Sequence, residues 1–174
     1  MSERFYEKDG LDRYGADAMA GDLAERKVSE ACEEMGRPLA DFGPRRVNVE
    51  RAQHMTWHEV IRHAPDFLQF ARFMEVQGCG RSGEVIFKMG KLNALLFWNS
   101  LMPVWFGIYN SHLDEVMFAD FASVMWAVNH PDSEHFILDP DTANPKEAVK
   151  VPYALLLERR VQDAFAAQKI VGGI

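Results

Sequence analysis

Residues 92–128 read LNALLFWNSLMPVWFGIYNSHLDEVMFADFASVMWAV, and three of the four tryptophans of the chain lie within them. The pair Ser111 and Asp114 is typical of a helix N-terminus. Behind this pair, apolar residues recur at helical spacing, which predicts a buried central helix over 111–128. The residues of that stripe are Leu113, Met117, Phe121, Val124 and Val128.

The residues before this helix are ambiguous. Residues 85–87 (VIF) suit a strand, whereas Leu92 and Leu95 suit a helix, so residues 84–109 are compatible with either. Pro103 ends either element, and residues 104–109 (VWFGIY) favour a buried strand. The uncharged residues 92–111 are long enough to cross a bilayer. Three asparagines and a proline inside them favour buried core instead, so we expect no membrane span.

Further from this stretch, helical patterns predominate. We therefore expect a mainly α fold with a small antiparallel β element, and an α+β fold is the alternative. The expected organisation is a flexible arm over 1–15 followed by one compact helical domain over 16–174. The predicted helices are 16–35 ending before Gly36, one starting at the Thr56–Glu59 capping box, one capped by Asp66 and reaching Met74, and 153–169; the predicted strands are 45–50 and 135–138.

Composition restricts the class of protein. The 174 residues include 19 basic and 26 acidic side chains, giving a net charge of −7. Because such a surface repels phosphates and anionic lipids, we expect neither nucleic acid nor a membrane as a partner. Only Cys32 and Cys79 are present, without a CxxC pair, and the first residues are charged throughout. Both features favour a cytoplasmic location.

Histidines suggest a weak metal site. His54 and His58 are four residues apart, the spacing that places two rings on one helical face, and His63 follows five residues later. The capping box places His54 before the first turn of the helix. The spacing of five residues places His63 on a different face from His58. Histidines that face solvent are therefore the alternative. The weak catalytic candidates are His58 with Glu59 as an acid–base pair, Cys79 as a nucleophile and Asp120 as a carboxylate within an apolar run.

Residues 78–83 (GCGRSG) match the spacing G-x-G-x-x-G. A dinucleotide site needs a strand before this motif and a helix after it. Here a helix is predicted before it, which favours a glycine-rich connection between helices. The remaining possibility is a weak anion site, formed by Gly78, Gly80, Arg81, Ser82 and Lys88. No particular cofactor is indicated.

The aromatic residues carry the functional hypothesis. They suit an interface or an apolar ligand pocket, because aromatic side chains are enriched at both. The residues concerned are Phe97, Trp98, Trp105, Phe106, Tyr109, Phe118 and Trp126. We therefore expect a non-catalytic helical subunit that docks to a protein partner or self-associates, with an apolar small molecule as a further candidate ligand. The alternative is a small enzyme with a His/Glu-based site, with or without a metal ion, beside an apolar pocket.

Overall fold

The computed structural model describes residues 13–42, 58–80, 82–138, 140 and 145–159, and their side chains except those of 13–18 and 59. Within them the helices are α1 (Arg13–Glu34), α2 (Glu59–Arg62), α3 (Met89–Leu101), α4 (Phe121–Val128) and α5 (Tyr153–Glu158). The strands are β1 (Ala40–Asp41), β2 (Phe67–Gln69), β3 (Arg72–Cys79), β4 (Glu84–Lys88), β5 (Val104–Asn110), β6 (Glu115–Asp120), β7 (Glu134–Leu138) and β8 (Lys146–Pro152).

All eight strands join one sheet with β3 near its centre. One edge of β3 pairs in parallel with β5, which pairs antiparallel with β6. The other edge pairs antiparallel with two different strands, β2 at its start and β4 at Cys79. Beyond these lie β1 next to β2, and β8 and then β7 next to β4. The parallel pair requires a long crossover, which β4 and α3 supply.

Side chains of β5 alternate between two hydrophobic cores. Phe106 and Ile108 are fully buried on the face covered by α3, α4 and α5. Trp105 and Tyr109 lie on the opposite face, where α1 contributes Val28 to a smaller core. The sheet is therefore enclosed between α1 on one face and α3, α4 and α5 on the other.

The prediction of a mainly helical fold is wrong. Residues 66–74, predicted as a helix capped by Asp66, form β2 and the start of β3. The predicted helix 111–128 is a turn, the strand β6 and only then the helix α4. Residues 78–83 connect two strands rather than two helices. In these segments strand pairing, much of it within hairpins, overrides the local helical pattern.

Several local predictions are confirmed. The helix α1, the strand β5 and the strand β7 lie within a few residues of their predicted ranges. Gly36 follows α1 with φ of +69°, the left-handed conformation expected at that position. The predicted strand 45–50 and the capping residue Thr56 lie outside the described residues, as does most of the predicted helix 153–169 beyond α5. None of the described helices is long and apolar enough to cross a membrane.

Candidate carboxylate–lysine site

A gap in strand pairing creates the site. The strand β2 pairs with β3 as far as Met74, and β4 pairs with β3 only at Cys79. Among the described residues, residues 75–78 of β3 therefore pair with β5 on one edge and with no strand on the other. Asp66, directly before β2, occupies this gap. Its Oδ2 accepts a hydrogen bond from the backbone N–H of Val76 at 2.7 Å. The carboxylate thus replaces the missing strand partner and is held where the sheet divides.

Three further side chains converge on Asp66. Glu75 of β3 is fully buried, and its Oε1 contacts Nζ of Lys91, which α3 contributes. The same Nζ lies 3.8 Å from Oδ1 of Asp66. Gln77, two residues along β3, donates from Nε2 to Oε1 of Glu75 at 2.9 Å. These four residues are called the carboxylate–lysine cluster below.

The cluster has unusual electrostatics. Burial, together with the repulsion of Asp66, raises the pKa of Glu75 to about 8, although Lys91 opposes the change. Burial acts to lower the pKa of Lys91, but attraction to Asp66 and Glu75 outweighs burial and raises it. Lys91 therefore stays positively charged at any physiological pH. Carboxylates with strongly raised pKa values are concentrated at functional sites.

One oxygen of the cluster lacks a partner. Oε2 of Glu75 is buried and has no hydrogen-bond partner among the described residues. A buried acceptor left unsatisfied costs about 1–3 kcal/mol. Apolar residues in place of a buried ion pair are often at least as stabilising, so stability gives no reason to keep this arrangement. Oε2 is thus the oxygen of Glu75 that the described residues leave open.

A ligand can reach the cluster from solvent. The side chains of Asp66 and Lys91 are each 24% exposed. A small cavity of about 110 Å³ under α3 is lined by Lys91 and Gln77 of the cluster, although not by its two carboxylates. Its lining combines polar and apolar residues: Gln77, Lys88, Lys91, Ile86, Phe87, Leu92, Leu95 and Phe106.

The donor set suits one kind of metal ion. In the described part of the chain, no group of three or more His, Cys, Asp or Glu side chains is arranged to hold a metal. Mg²⁺ does not require such a group, because it is commonly bound by one or two carboxylates, several waters and the phosphate of a substrate. Asp66 and Glu75 provide two carboxylates, and Lys91 provides a cation beside them. The cluster thus places two carboxylates beside one cation, a combination of charges that suits a divalent cation with a bound oxyanion.

Comparisons with known proteins add little. No protein-family model matches the chain, and no curated protein matches it. Among solved structures, a nuclease from a fusselovirus is similar over 52% of each chain, with 10% sequence identity and a TM-score of 0.36. The chain therefore matches about half the length of that protein.

The histidine candidates do not assemble into a site in the described structure. His58 is exposed, and its Nδ1 accepts from the backbone N–H of Val60 at 3.3 Å. His63 is partly buried and has a polar or ring contact of its own. His54 lies outside the described residues, and Glu59 is described only in its backbone, at the start of α2.

The other catalytic candidates have structural roles. Asp120 caps α4, because its Oδ1 accepts from the N–H of Ser123 at 2.7 Å. Cys79 is buried, and burial raises the pKa of its thiol to about 11, which does not suit a nucleophile at neutral pH.

The glycine-rich residues do not converge with Lys88. Gly78 belongs to β3, whereas Gly80 and Ser82 lie in the turn to β4. Lys88 is at the far end of β4, about 13 Å from that turn at the usual rise per residue of a strand. Arg81 lies outside the described residues.

The sheet separates the predicted aromatic set. Trp105, Tyr109 and Phe118 pack on the α1 side, whereas Trp98, Phe106 and Trp126 pack on the side of the other helices. Phe97 projects from α3 and is 49% exposed. The set thus contributes to two cores rather than to one continuous pocket.

The sequence analysis did not select Asp66, Glu75, Gln77 or Lys91 as site residues. One signal was present, because Glu75 interrupts the apolar run Phe73, Met74 and Val76. A carboxylate inside such a run must find a partner. The partner itself was not visible, since Lys91 reaches Glu75 only through the crossover from β3 to α3.

Proposed function

We propose that the protein is a divalent-metal-dependent phosphodiesterase. The observation that supports it is the position of Lys91 between two carboxylates, one of which keeps a buried, unsatisfied oxygen. The net charge of the metal-loaded cluster would also match that of a phosphodiester. A divalent ion would cancel Asp66 and Glu75, leaving the single positive charge of Lys91 to face the single negative charge of a phosphodiester. A phosphomonoester dianion carries two negative charges, which the single positive charge of Lys91 would not balance.

Each residue of the cluster has a role in this proposal. Asp66 and Glu75 would hold the metal ion, which would supply Lewis-acid chemistry and activate a water molecule. Lys91 stabilises negative charge that develops on the phosphoryl oxygens. Gln77 fixes the orientation of Glu75 through its hydrogen bond. The hydrogen bond that Oδ2 of Asp66 accepts from the backbone N–H of Val76 holds the carboxylate in place.

The test compares hydrolysis of bis-p-nitrophenyl phosphate, a diester, with that of p-nitrophenyl phosphate in Mn²⁺ or Mg²⁺. We expect diester hydrolysis that chelation abolishes, and a loss of at least about a hundredfold in kcat/KM for Lys91→Met, the effect typical of removing one charge-stabilising group. Asp66→Asn and Glu75→Gln should lose at least as much. The control Glu134→Gln removes a carboxylate paired with Lys150 at 3.2 Å on distant strands and should change little.

Two results would overturn the proposal. One is the absence of metal-dependent hydrolysis of both this diester and a labelled oligonucleotide by the wild-type protein. The other is diester hydrolysis that all three cluster variants retain while circular dichroism shows them folded.

The docking role expected from the sequence remains a second proposal, favoured by one observation. Three large apolar side chains of α3 are about half exposed or more: Leu96, Phe97 and Leu101. Ile61 of the neighbouring helix α2 is also 52% exposed. Exposed apolar groups of this kind suit a protein contact. Light scattering after size-exclusion chromatography tests it, since a strict monomer without a co-purifying partner contradicts it.

The cytoplasmic location is likewise a proposal. It is supported by Cys32 and Cys79, which are both free and buried. Free thiols are typical of a reducing compartment.

A further inference from the structure

The cavity beside the carboxylate–lysine cluster follows from the division of the sheet. The strand β4 pairs with β3 only between Val85 and Cys79, whereas it pairs with β8 along its whole length. The strands β3 and β4 therefore diverge from this point, and α3 covers the space between them. Gln77 of β3 and Phe87 of β4 both line this space. The cavity is thus a consequence of the topology.

The lining of the cavity is apolar inside and exposed at one end. Ile86 and Lys88 line it and are exposed to solvent, so they form its mouth. Four other lining residues are buried and apolar, and they form its interior: Phe87, Leu92, Leu95 and Phe106. Because these four side chains offer no hydrogen bond, water is a poor occupant of the interior. An apolar group that enters from solvent fits there better.

Lys91 belongs to the cluster and also lines the cavity. Leu95 follows Lys91 by one helical turn, so the two side chains lie on the same face of α3. Phe106 of β5 is the register partner of Glu75, so their side chains share one face of the sheet. An anionic group bound by Lys91 therefore has the apolar interior of the cavity next to it.

The volume of the cavity limits the size of the group that it holds. At about 110 Å³ it is smaller than a cavity of about 150 Å³, the size known to take up benzene. It has room for about three or four groups of the size of a water molecule, at about 30 Å³ each. A methylene group is similar in size. A chain of three or four carbons therefore fits, whereas an aromatic ring does not.

We propose that this cavity holds the retained alkyl group of a small phosphodiester whose phosphate is bound at the carboxylate–lysine cluster. The inference rests on the proposed function and adds the substrate class to it. Water adds at phosphorus and the bond to the other ester oxygen breaks, so the products are the alkyl phosphate dianion, the released alcohol and one proton. Because a short alkyl group needs no basic surface, such a substrate agrees with the net charge of −7.

The test measures kcat/KM in Mn²⁺ for p-nitrophenyl phosphodiesters whose second group is methyl, ethyl, propyl, butyl or benzyl, so that the leaving group is constant. From methyl to propyl, kcat/KM should rise about fourfold per carbon, the gain expected for burying one methylene group. The benzyl diester should react no faster than the methyl diester, because its ring stays outside the cavity.

Variants that fill the cavity show where the alkyl group lies. Leu95→Phe and Leu92→Phe each place a larger side chain there, and each should reduce the propyl-to-methyl ratio of kcat/KM from about sixteenfold to near one. The control Leu155→Phe makes the same change at a buried leucine of α5 that does not line the cavity, and it should keep the ratio. Because the ratio is taken within each variant, a general loss of activity does not affect it.

Failure of this inference is distinguishable from failure of the proposed function. If the wild type hydrolyses the diesters through the cluster but the propyl-to-methyl ratio is near one, only the role of the cavity is wrong. This result decides the question even where the filling variants do not fold. A wild-type ratio in both variants, shown to be folded by circular dichroism, also overturns the inference, since the alkyl group then lies elsewhere. Absence of metal-dependent hydrolysis of every diester overturns the proposed function and this inference with it.

Discussion

At the scale of single residues, Glu75 has the most consequential environment. Its carboxyl is fully buried, with a pKa raised from an ordinary value of 4.5 to about 8. The folded protein therefore binds this proton more tightly than the unfolded chain does. Ionisation of Glu75 without a bound metal works against folding.

This environment predicts a pH dependence of stability in the metal-free protein. The contribution of Glu75 is fully present below about pH 4.5 and is lost as pH rises to about 8, so that part of the unfolding free energy should fall across this range. Urea unfolding in EDTA at several pH values measures it. Glu75→Gln should remove the decline, and Glu134→Gln should keep it. An equally steep decline in Glu75→Gln would show that another group is responsible.

The residue scale also shows what the sequence conceals. Asp66 follows a proline and was interpreted as a helix cap, and its carboxylate does accept a backbone N–H. That N–H belongs to Val76, ten residues away on another strand. Cap residues and strand-end residues use the same chemistry, so the residue type alone does not distinguish them.

At the scale of elements, the packing of α1 on the sheet depends on a small residue. A Cβ added to Gly107 of β5 would lie 2.5 Å from Cγ1 of Val28 on α1. Gly78 of β3 faces the same helix with more room, since its nearest neighbour, Cβ of Ala24, would be 4.0 Å away. The helix thus approaches the sheet most closely at β5.

We therefore predict opposite outcomes for two matched substitutions. Gly107→Ala should destabilise the protein by about 1–3 kcal/mol, the usual cost of overpacking, because Val28 and its helix must shift. Gly78→Ala should be nearly neutral, because its methyl group fits against Ala24. Urea unfolding of both variants provides the comparison. Equal stability of the two variants would mean that α1 does not pack at Gly107 as described.

The misassigned elements have one physical cause. In β6, Val116 and Phe118 pack towards α1 while Met117 and Ala119 pack on the other face, so the strand is apolar on both sides. A strand of this kind has no alternation of polar and apolar residues. Its apolar positions also matched a helical stripe that continued into the true helix α4. Periodicity alone does not separate these cases, whereas β5 was predicted because Pro103 set its start.

At the scale of the whole molecule, topology creates the site. The hairpin brings Asp66 next to Glu75, and the crossover through β4 and α3 returns Lys91 to the same point. These contacts depend on the topology of the sheet, so they cannot be predicted from the local sequence of short segments. The net charge of the chain did not predict the site either. It sums all charged residues, whereas the cluster depends on a few charges at one place.

The central claim is that Asp66 and Glu75 together bind a divalent cation. Isothermal titration of the metal-free protein with Mn²⁺ tests it directly, using the wild type, Asp66→Asn, Glu75→Gln and the control Glu134→Gln. We expect saturable Mn²⁺ binding to the wild type and to the control. The Mn²⁺ affinity of each cluster variant should be at least about tenfold weaker, because loss of a direct metal ligand should cost no less than loss of a residue that supports one. No binding to the folded wild type, or equal binding to folded Glu75→Gln, would contradict it.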